Sequence, residues 1–243
     1  MSPGPVVDTV TAEEFLREVT TQVAPDELRA VAVDLTRKSA AMRELVGDDP
    51  AAMDRDALRG LLRRCFSTRR HADSILGAIG VPTLAAAVAD LLDGPAGLAT
   101  RFDAFSSVVA PAPAGGFDLP GELLHFLQPD RYWLWTRWVW DPDNETGALR
   151  LVTMDEVDLY GSDRGETYLQ VGQAMAFVEQ TGKAAGFTGM GAGLFGADVF
   201  LASVYAIYLH TVLGMRMTQE FTRLAPPVGE LVRRLLGVYH RED

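Results

Sequence analysis

Cysteine and lysine are nearly absent from this sequence. The single cysteine, Cys65, has no second thiol to pair with, which excludes an intramolecular disulfide and favours a reducing, intracellular compartment. Lys38 and Lys183 are the only lysines among 22 basic residues, so arginine carries nearly all of the positive charge.

Basic residues are also scarce relative to acidic ones, and the formal net charge is −11. General nucleic-acid and anionic-membrane binders neutralise phosphate or lipid head groups with lysine and arginine. A nucleic acid is therefore an unfavoured partner, although a local basic patch can still bind an anion. Hydrophobic residues make up 48% of the chain and charged residues 23%, the composition of an ordinary globular protein.

A membrane-spanning segment is missing as well. The longest membrane-like run, 199–215, has 17 uncharged residues, whereas a spanning helix needs about 20 predominantly apolar residues. The run also contains Ser203, Tyr205 and His210, so we predict a buried central helix. The N-terminus has neither the basic region nor the apolar region of a secretion signal, and we expect a cytoplasmic protein.

Helix signals recur at short intervals along most of the chain. Thr11 and Glu14 have the spacing of a capping box, Pro25 and Pro82 are suited to the first turn of a helix, and Gly47 to a helix end. Short helices joined by short loops indicate a mainly α, compact multi-helix bundle of about ten helices. The predicted helices are 11–23, 25–46, 54–66, 68–79, 83–92, 95–109, 120–127, 166–181, 197–215 and 228–238.

A linker-like segment rich in alanine, proline and glycine lies at 110–118. It predicts an N-terminal helical lobe, 1–115, and a second part, 116–243, that holds a β-hairpin and a C-terminal helical lobe. The alternative is one continuous domain.

All four tryptophans lie within residues 130–142, near the middle of the chain. Aromatic and β-branched residues favour a strand over 131–140, and 141–147 is rich in turn residues. Residues 148–153 are suited to a returning strand. The sequence therefore predicts one small central β-hairpin between the helical halves.

Both faces of this predicted hairpin are aromatic. Alternation places Trp138 and Trp140 on one face and Trp133, Trp135 and Arg137 on the other. Either the hairpin packs between the helical halves, or one face is a binding surface, since Trp, Tyr and Arg are enriched in interface hot spots. The first functional hypothesis is therefore an accessory or assembly protein that binds another protein, or a second copy of itself, through this hairpin.

Small-ligand binding or catalysis in a pocket between the lobes is the alternative hypothesis, because ligand pockets are largely apolar with a few polar groups. The glycine-rich loop 182–196 ends in a G-x-G-x-x-G spacing, but no strand precedes it as dinucleotide binding requires. The sequence does not decide whether this loop binds an anion. The candidate binding residues are Trp133, Trp135, Arg137, Trp138, Trp140, Tyr205, Tyr208 and His210.

Arginines concentrate around the end of the predicted helix 54–66. Arg63, Arg64, Arg69 and Arg70 form a candidate basic patch, which is either a docking site for an acidic partner or phosphate, or a solvated helix face with ordinary surface ion pairs. Cys65 lies among them, and nearby positive charge lowers a thiol pKa. A reactive thiolate is thus one interpretation of Cys65, and a buried core cysteine is the commoner case.

Complete catalytic motifs are absent: the sequence has no nucleophile elbow, zinc-protease motif, Walker motif or paired Cys-x-x-Cys. Glu122 and His125 have the Glu-x-x-His spacing of one half of a carboxylate-bridged di-iron site, but no second pair accompanies them. We therefore expect no metal and no cofactor, and the sequence assigns no catalytic residue.

Overall fold

The structure is a computed structural model that describes residues 6–112, 117–184, 193–216 and 226–239. Within these ranges it contains eleven α-helices and one 3₁₀ helix, Pro50–Ala52, and no β-strand. In chain order the α-helices are α1 (Thr9–Gln22), α2 (Pro25–Val46), α3 (Arg55–Arg64), α4 (Ala72–Ile79), α5 (Val81–Asp93), α6 (Leu98–Val109), α7 (Leu119–Leu127), α8 (Ala148–Val152), α9 (Arg164–Ala184), α10 (Gly196–Arg216) and α11 (Val228–Leu235).

The prediction of a mainly helical protein is confirmed, and every predicted helix is present with small shifts at its ends. The largest shift is at the start of α4, which begins at Ala72 and not at 68, and the capping of α1 also differs from the prediction. Asp8 caps this helix, and its carboxylate accepts hydrogen bonds from the backbone N–H of Thr11 at 3.1 Å and from the Thr11 hydroxyl at 2.7 Å. Thr11 is therefore a donor to the cap rather than the cap itself, because an earlier acidic residue satisfies the free N–H groups of the first turn.

The predicted central β-hairpin is wrong. Residues 132–136 have no strand partner in the described chain, and one isolated antiparallel bridge joins Asp141 to Thr146. Beyond this bridge the chain returns as helix α8, whose first two N–H groups donate to the carbonyl oxygens of Trp138 and Val139 at 2.8 and 3.0 Å. The carbonyl groups that a hairpin ladder would use therefore bind the start of a helix, and this tertiary arrangement overrides the β propensity of the segment.

Contacts divide the chain into two compact units. Unit 1 comprises the described residues of 1–36, 138–157 and 174–243, and unit 2 comprises those of 37–137 and 158–173. Two of the four boundaries, 36/37 and 173/174, fall within helices α2 and α9, and the other two, 137/138 and 157/158, lie outside helices. The two lobes predicted from the linker stay a sequence-based prediction.

In unit 1, helix α10 packs against α1, α8 and α11. The first half of α10 is almost entirely buried, and Val199, Leu201 and Val204 have no exposed surface. The burial predicted over 199–215 is present in most of residues 199–207, whereas residues 208–210 are half-buried and Thr211 is exposed. Among the described residues no single helix is long and apolar enough to cross a membrane, and α4 and α5 reach that length only as a pair bent by 99°.

In unit 2, helix α5 packs against the 3₁₀ helix and against α3, α4, α6 and α7. Helix α7 is buried along its whole length. A Cβ atom built on Gly121 would lie 2.1 Å from the carbonyl oxygen of Trp135. Helix α7 therefore touches the backbone of residues 130–142, the tryptophan segment, directly. This close approach holds the polar side chains of α7, Glu122 and His125, inside the unit.

Candidate functional site

The arginine patch, which consists of Arg63, Arg64, Arg69 and Arg70, spans the last turn of α3 and the turn that leads to α4. Cationic side chains are stabilised at the C-terminus of a helix by the partial negative charge of its free carbonyl groups. The leucines of α3 are buried, and its arginines lie on the other side of the helix. Three members of the patch are exposed, and Arg69 is half-buried.

One carboxylate, that of Asp73, forms ion pairs with Arg63 of the patch and with Arg59, one turn earlier in α3. Asp73 Oδ2 lies 2.9 Å from Nη2 of Arg59 and 3.6 Å from Nη2 of Arg63. The side chains of this group are about half exposed, so water weakens both ion pairs. A single shared carboxylate therefore neutralises little of the positive charge.

The remaining members of the patch form no ion pair with a described residue. Arg64 Nη1 donates a hydrogen bond to the carbonyl oxygen of Gly60 at 3.1 Å, one turn earlier in its own helix. The Arg69 guanidinium lies 4.8 Å from the centre of the Phe66 ring. These contacts orient the guanidinium groups without neutralising them, which leaves them suited to bind an external anion.

Buried Glu122 of α7 fixes the turn that carries half of the patch. Its carboxylate accepts hydrogen bonds from the backbone N–H of Phe66 at 2.7 Å, the backbone N–H of Ser67 at 3.2 Å and the Ser67 hydroxyl at 2.6 Å. Thr68 adds a fourth bond, donating its hydroxyl to the carbonyl oxygen of Leu62 at 2.7 Å. Hydrogen bonds to an ionised group are about twice as strong as neutral ones, so this turn is held firmly.

Lys38 is the cation that accompanies this buried carboxylate. Its Nζ lies 4.0 Å from Oε1 of Glu122 and 3.7 Å from the centre of the Phe126 ring. Ser39 donates its hydroxyl to the Phe126 carbonyl oxygen at 2.7 Å and joins the same helices. Local sequence patterns do not reveal this network, because Glu122 is 55 and 56 positions away from the groups that it binds.

The structure excludes the reactive-thiolate interpretation of Cys65. The residue has no exposed surface, and burial raises the pKa of its thiol well above the ordinary value, with the Glu122 charge adding to the effect. Three of the four arginines around it in sequence are exposed, whereas Cys65 itself is buried. Cys65 is therefore a core residue, as the commoner case for a free cysteine implies.

The Glu-x-x-His pair is engaged in structural hydrogen bonds. Glu122 binds the turn described above, and Nδ1 of His125 lies 2.8 Å from the carbonyl oxygen of Tyr132. His125 has no exposed surface. Over the described ranges, no group of three or more His, Cys, Asp or Glu side chains is arranged to hold a metal ion.

Three of the predicted binding residues, Trp133, Trp135 and Arg137, belong to unit 2. Trp135 is 1% exposed and packs edge-on against the Phe117 ring at 5.0 Å between centroids. Trp133 is half-buried, and its carbonyl oxygen accepts a hydrogen bond from the Tyr168 hydroxyl at 2.9 Å. Burial raises the pKa of Tyr168, so its hydroxyl stays a neutral donor.

Arg137 is exposed, in contrast to the buried residues on either side of it. Its guanidinium lies 4.8 Å from the centre of the Phe117 ring, and that of Arg164 lies 5.3 Å from the same ring. The backbone N–H of Arg137 donates to Oδ1 of Asp118 at 2.8 Å. Two guanidinium groups on one aromatic ring make a second, smaller cationic feature of unit 2.

The other predicted binding residues, Trp138, Trp140, Tyr205, Tyr208 and His210, belong to unit 1. The Trp138 and Tyr205 rings are 6.4 Å apart, and the Tyr205 and Tyr208 rings stack at 5.8 Å. Trp138 and Trp140 are 7% and 2% exposed. The indole N–H of Trp138 and Nδ1 of His210 are buried and have no hydrogen-bond partner among the described residues.

Tyr205 has an environment of its own within this group. Burial raises the pKa of its hydroxyl, and the neighbouring Tyr208 and Asp141 add to the shift. The carboxylate of Asp141 is occupied by the backbone N–H of Asp143 at 3.0 Å and the side-chain amide of Asn144 at 2.8 Å. The glycine-rich loop 182–196 lies mostly outside the described residues, which omit 185–192.

Sequence reasoning also missed a pair of carboxyl groups at the start of α9. Asp103 Oδ1 accepts a hydrogen bond from the backbone N–H of Gly165 at 2.9 Å, and Asp163 Oδ1 accepts one from the N–H of Glu166 at 2.8 Å. Burial raises the pKa of Asp103, and the charge and hydrogen bond of Asp163 raise it further. The two residues are far apart in sequence, so no local pattern marks them.

Known proteins offer no comparison for this arrangement: no family model matches the chain, and no curated protein and no solved structure matches it. What the arginine patch can bind therefore follows from the chemistry of its side chains. Guanidinium groups bind carboxylates and phosphates through charge-assisted, often bidentate hydrogen bonds. Arginine supplies neither a nucleophile nor a general base, so the patch is suited to binding rather than to catalysis.

Proposed function

We propose that this protein is a non-catalytic accessory protein that binds another protein, and that an acidic segment of the partner docks on the arginine patch. The observation that carries the proposal is the patch itself, with its turn anchored by buried Glu122 and little neutralising charge nearby. A fixed turn presents guanidinium groups at low conformational cost, and such preorganisation favours binding.

The charge of the whole chain favours an acidic protein segment over a nucleic acid. With a net charge of −11, the protein as a whole repels a polyanion such as RNA, and long polyanions feel this repulsion along their length. A short acidic segment meets only the local positive field, because charges beyond about 8–10 Å are screened at physiological salt.

The tryptophan segment contributes to this proposal through two residues. Trp135, Trp138 and Trp140 are buried, so their rings are part of the interior. Trp133 is half-buried and Arg137 is exposed. A protein contact through this segment would therefore use Trp133 for apolar contact and Arg137 for a charged contact.

The test is a fluorescence-anisotropy titration with a labelled glutamate-rich dodecapeptide and its glutamine version as the neutral probe. The double variant Arg64→Glu and Arg70→Glu should weaken binding roughly tenfold, since each exposed charge contact contributes up to about 1 kcal/mol. The matched control is Arg17→Glu and Arg43→Glu, which changes the net charge equally at exposed sites outside the patch.

Three results would contradict the proposal. Equal weakening by the control variant would show that only the net charge matters. Equal binding of the glutamine peptide would remove the role of carboxylates. Tighter binding of a single-stranded RNA of the same length than of the acidic peptide would identify a nucleic-acid site instead, with the steep salt dependence of phosphate contacts.

A second candidate function is small-ligand binding in unit 1. It is supported by the Trp138 indole N–H, a buried donor without a described partner beside the Tyr205 and Tyr208 rings. A thermal-shift screen tests it, because a ligand at about 100 times its Kd adds roughly 2.7 kcal/mol to the free energy of unfolding. The shift should shrink in Trp138→Phe, and a screen in which no compound shifts the melting temperature would count against this function.

A further inference from the structure

A cavity of about 210 Å³ lies between helices α1 and α10 of unit 1. Four α1 side chains and one α10 side chain form its walls. Pockets for drug-sized ligands usually measure about 300–1,000 Å³. This cavity is therefore smaller than the usual pocket for a drug-sized ligand. Its lining residues are Thr11, Glu14, Phe15, Glu18 and Ile207.

The cavity combines an apolar interior with an acidic rim. Phe15 is half-buried and Ile207 is 5% exposed, so these two form the apolar walls. Glu14 and Glu18 are exposed and stand one helical turn apart on the same side of α1. Glu18 accepts a hydrogen bond from the Gln22 side chain at 2.6 Å. Neither glutamate forms an ion pair with another described residue.

This arrangement matches a cation at the end of an apolar stem. Lysine and arginine side chains place their methylene groups along apolar surface while the charged end stays at the water boundary. Here the methylenes would contact Phe15 and Ile207, and the charge would lie between the two carboxylates. A neutral apolar side chain would leave the negative charge of both glutamates unneutralised, and an acidic one would be repelled.

We infer that this cavity binds a lysine or arginine side chain from a basic segment of a partner protein. It is a second docking point, on unit 1, and its charge is opposite to that of the arginine patch on unit 2. It does not depend on the acidic-segment proposal, since the two sites share no residue.

The isoleucines of the chain give a direct measurement. There are three, Ile75, Ile79 and Ile207, and only Ile207 lines the cavity. In a sample labelled at the isoleucine δ1-methyl groups, a peptide with a single lysine flanked by serines should shift the Ile207 signal in a saturable manner. The signals of Ile75 and Ile79, both on α4, should stay in place. A norleucine version of the peptide should bind at least several-fold more weakly.

Paired glutamine variants separate the cavity from the general acidity of the protein. Glu14→Gln with Glu18→Gln should weaken the lysine peptide roughly fivefold, as expected for the loss of two exposed ion pairs. The matched control is Glu13→Gln with Glu44→Gln, exposed glutamates that do not line the cavity. All four substitutions are at exposed positions, so equal thermal melting curves will confirm that both variants are folded.

Four results would overturn the inference. The first is an Ile207 signal that does not move with the lysine peptide, and the second is equal binding of the norleucine peptide. The third is equal weakening by the control variant. The fourth is saturable binding of n-butylammonium without binding of the lysine peptide, which would identify a site for a free amine instead of a protein side chain.

Discussion

The carboxylate of Glu122 accepts a hydrogen bond of 2.7 Å from the backbone N–H of Phe66, and the two residues are 56 positions apart in sequence. Through this bond an acidic residue on a buried helix determines the path of an exposed turn. Arg69 and Arg70 follow on that turn within a few residues. Stability of the interior and presentation of the arginine patch therefore depend on the same side chain.

Glu122→Gln should lower both the free energy of unfolding and the affinity for an acidic peptide. Its amide keeps one acceptor but loses the charge, so the ion pair with buried Lys38 is broken and the bonds to the turn become neutral ones. We expect a loss of about 3 kcal/mol, the lower end for a broken buried ion pair. Urea unfolding measures it, with exposed Glu44→Gln as a control expected within about 0.5 kcal/mol of wild type. A loss below about 1 kcal/mol would show that the turn does not depend on this charge.

Cys65 should resist alkylation in the folded protein. Burial raises the pKa of its thiol well above the ordinary value, so neither access nor thiolate is available near neutral pH. Mass spectrometry after treatment with iodoacetamide at pH 8 should show the unmodified chain in buffer and complete modification in guanidinium chloride. Rapid modification of the folded chain would restore the reactive-thiolate interpretation.

Asp103→Asn should stabilise the protein increasingly as the pH rises from 3 to 7. Burial and the neighbouring Asp163 raise the folded-state pKa of Asp103 above its ordinary 3.8, so folding favours the protonated form. The stability that this proton provides is complete below the ordinary pKa and is lost as the pH rises through the raised folded-state value. Asparagine keeps an oxygen for the Gly165 N–H and cannot ionise.

Melting temperatures of both proteins across this pH range provide the measurement for Asp103→Asn. The difference in melting temperature between Asp103→Asn and the wild type should be smallest at pH 3. Asp130→Asn, which removes an exposed carboxylate in the same unit, is the matched control for the loss of one charge. A gap for Asp103→Asn that narrows with rising pH would contradict the direction of the shift.

Trp135→Ala and Trp133→Ala should differ sharply in stability. Trp135 is 1% exposed and packs among Phe102, Phe117 and Tyr168, so its truncation should cost about 3–5 kcal/mol. Trp133 is half-buried, and its truncation should cost roughly 1 kcal/mol. Urea unfolding measures both, and equal losses would contradict the packing. Trp133→Ala is therefore the variant that tests a partner contact without unfolding the protein.

The helices were predictable because their signals are local. Pro25 and Pro82 stand in first turns, Gly47 follows the last residue of α2, and apolar periodicity marks the buried faces. The tryptophan segment was not predictable in the same way. Its β propensity is real, but the carbonyl groups of Trp138 and Val139 bind the start of α8, and this tertiary contact has no counterpart in local composition.

The candidate site shows the same division between local and distant information. The arginines stand within eight positions of one another, so the sequence alone named the patch. The support of that patch comes from Glu122 and Lys38, which lie more than twenty positions away on either side. The α1–α10 cavity likewise unites Phe15 with Ile207, two residues from opposite ends of the chain that no spacing rule connects.

Gly121 and Gly165 are expected to be retained when most other residues of the sequence change. A Cβ atom on either would lie 2.1 Å from a carbonyl oxygen, that of Trp135 or of Ala99, which is far inside the contact distance of the two atoms. Any side chain at these places would push two backbones apart. Descendants of a common ancestor can exchange most surface residues and keep this fold, but they are expected to retain both glycines. These two glycines, with a tryptophan-rich segment shortly after Gly121, form a sequence pattern by which distant relatives of this chain can be recognised.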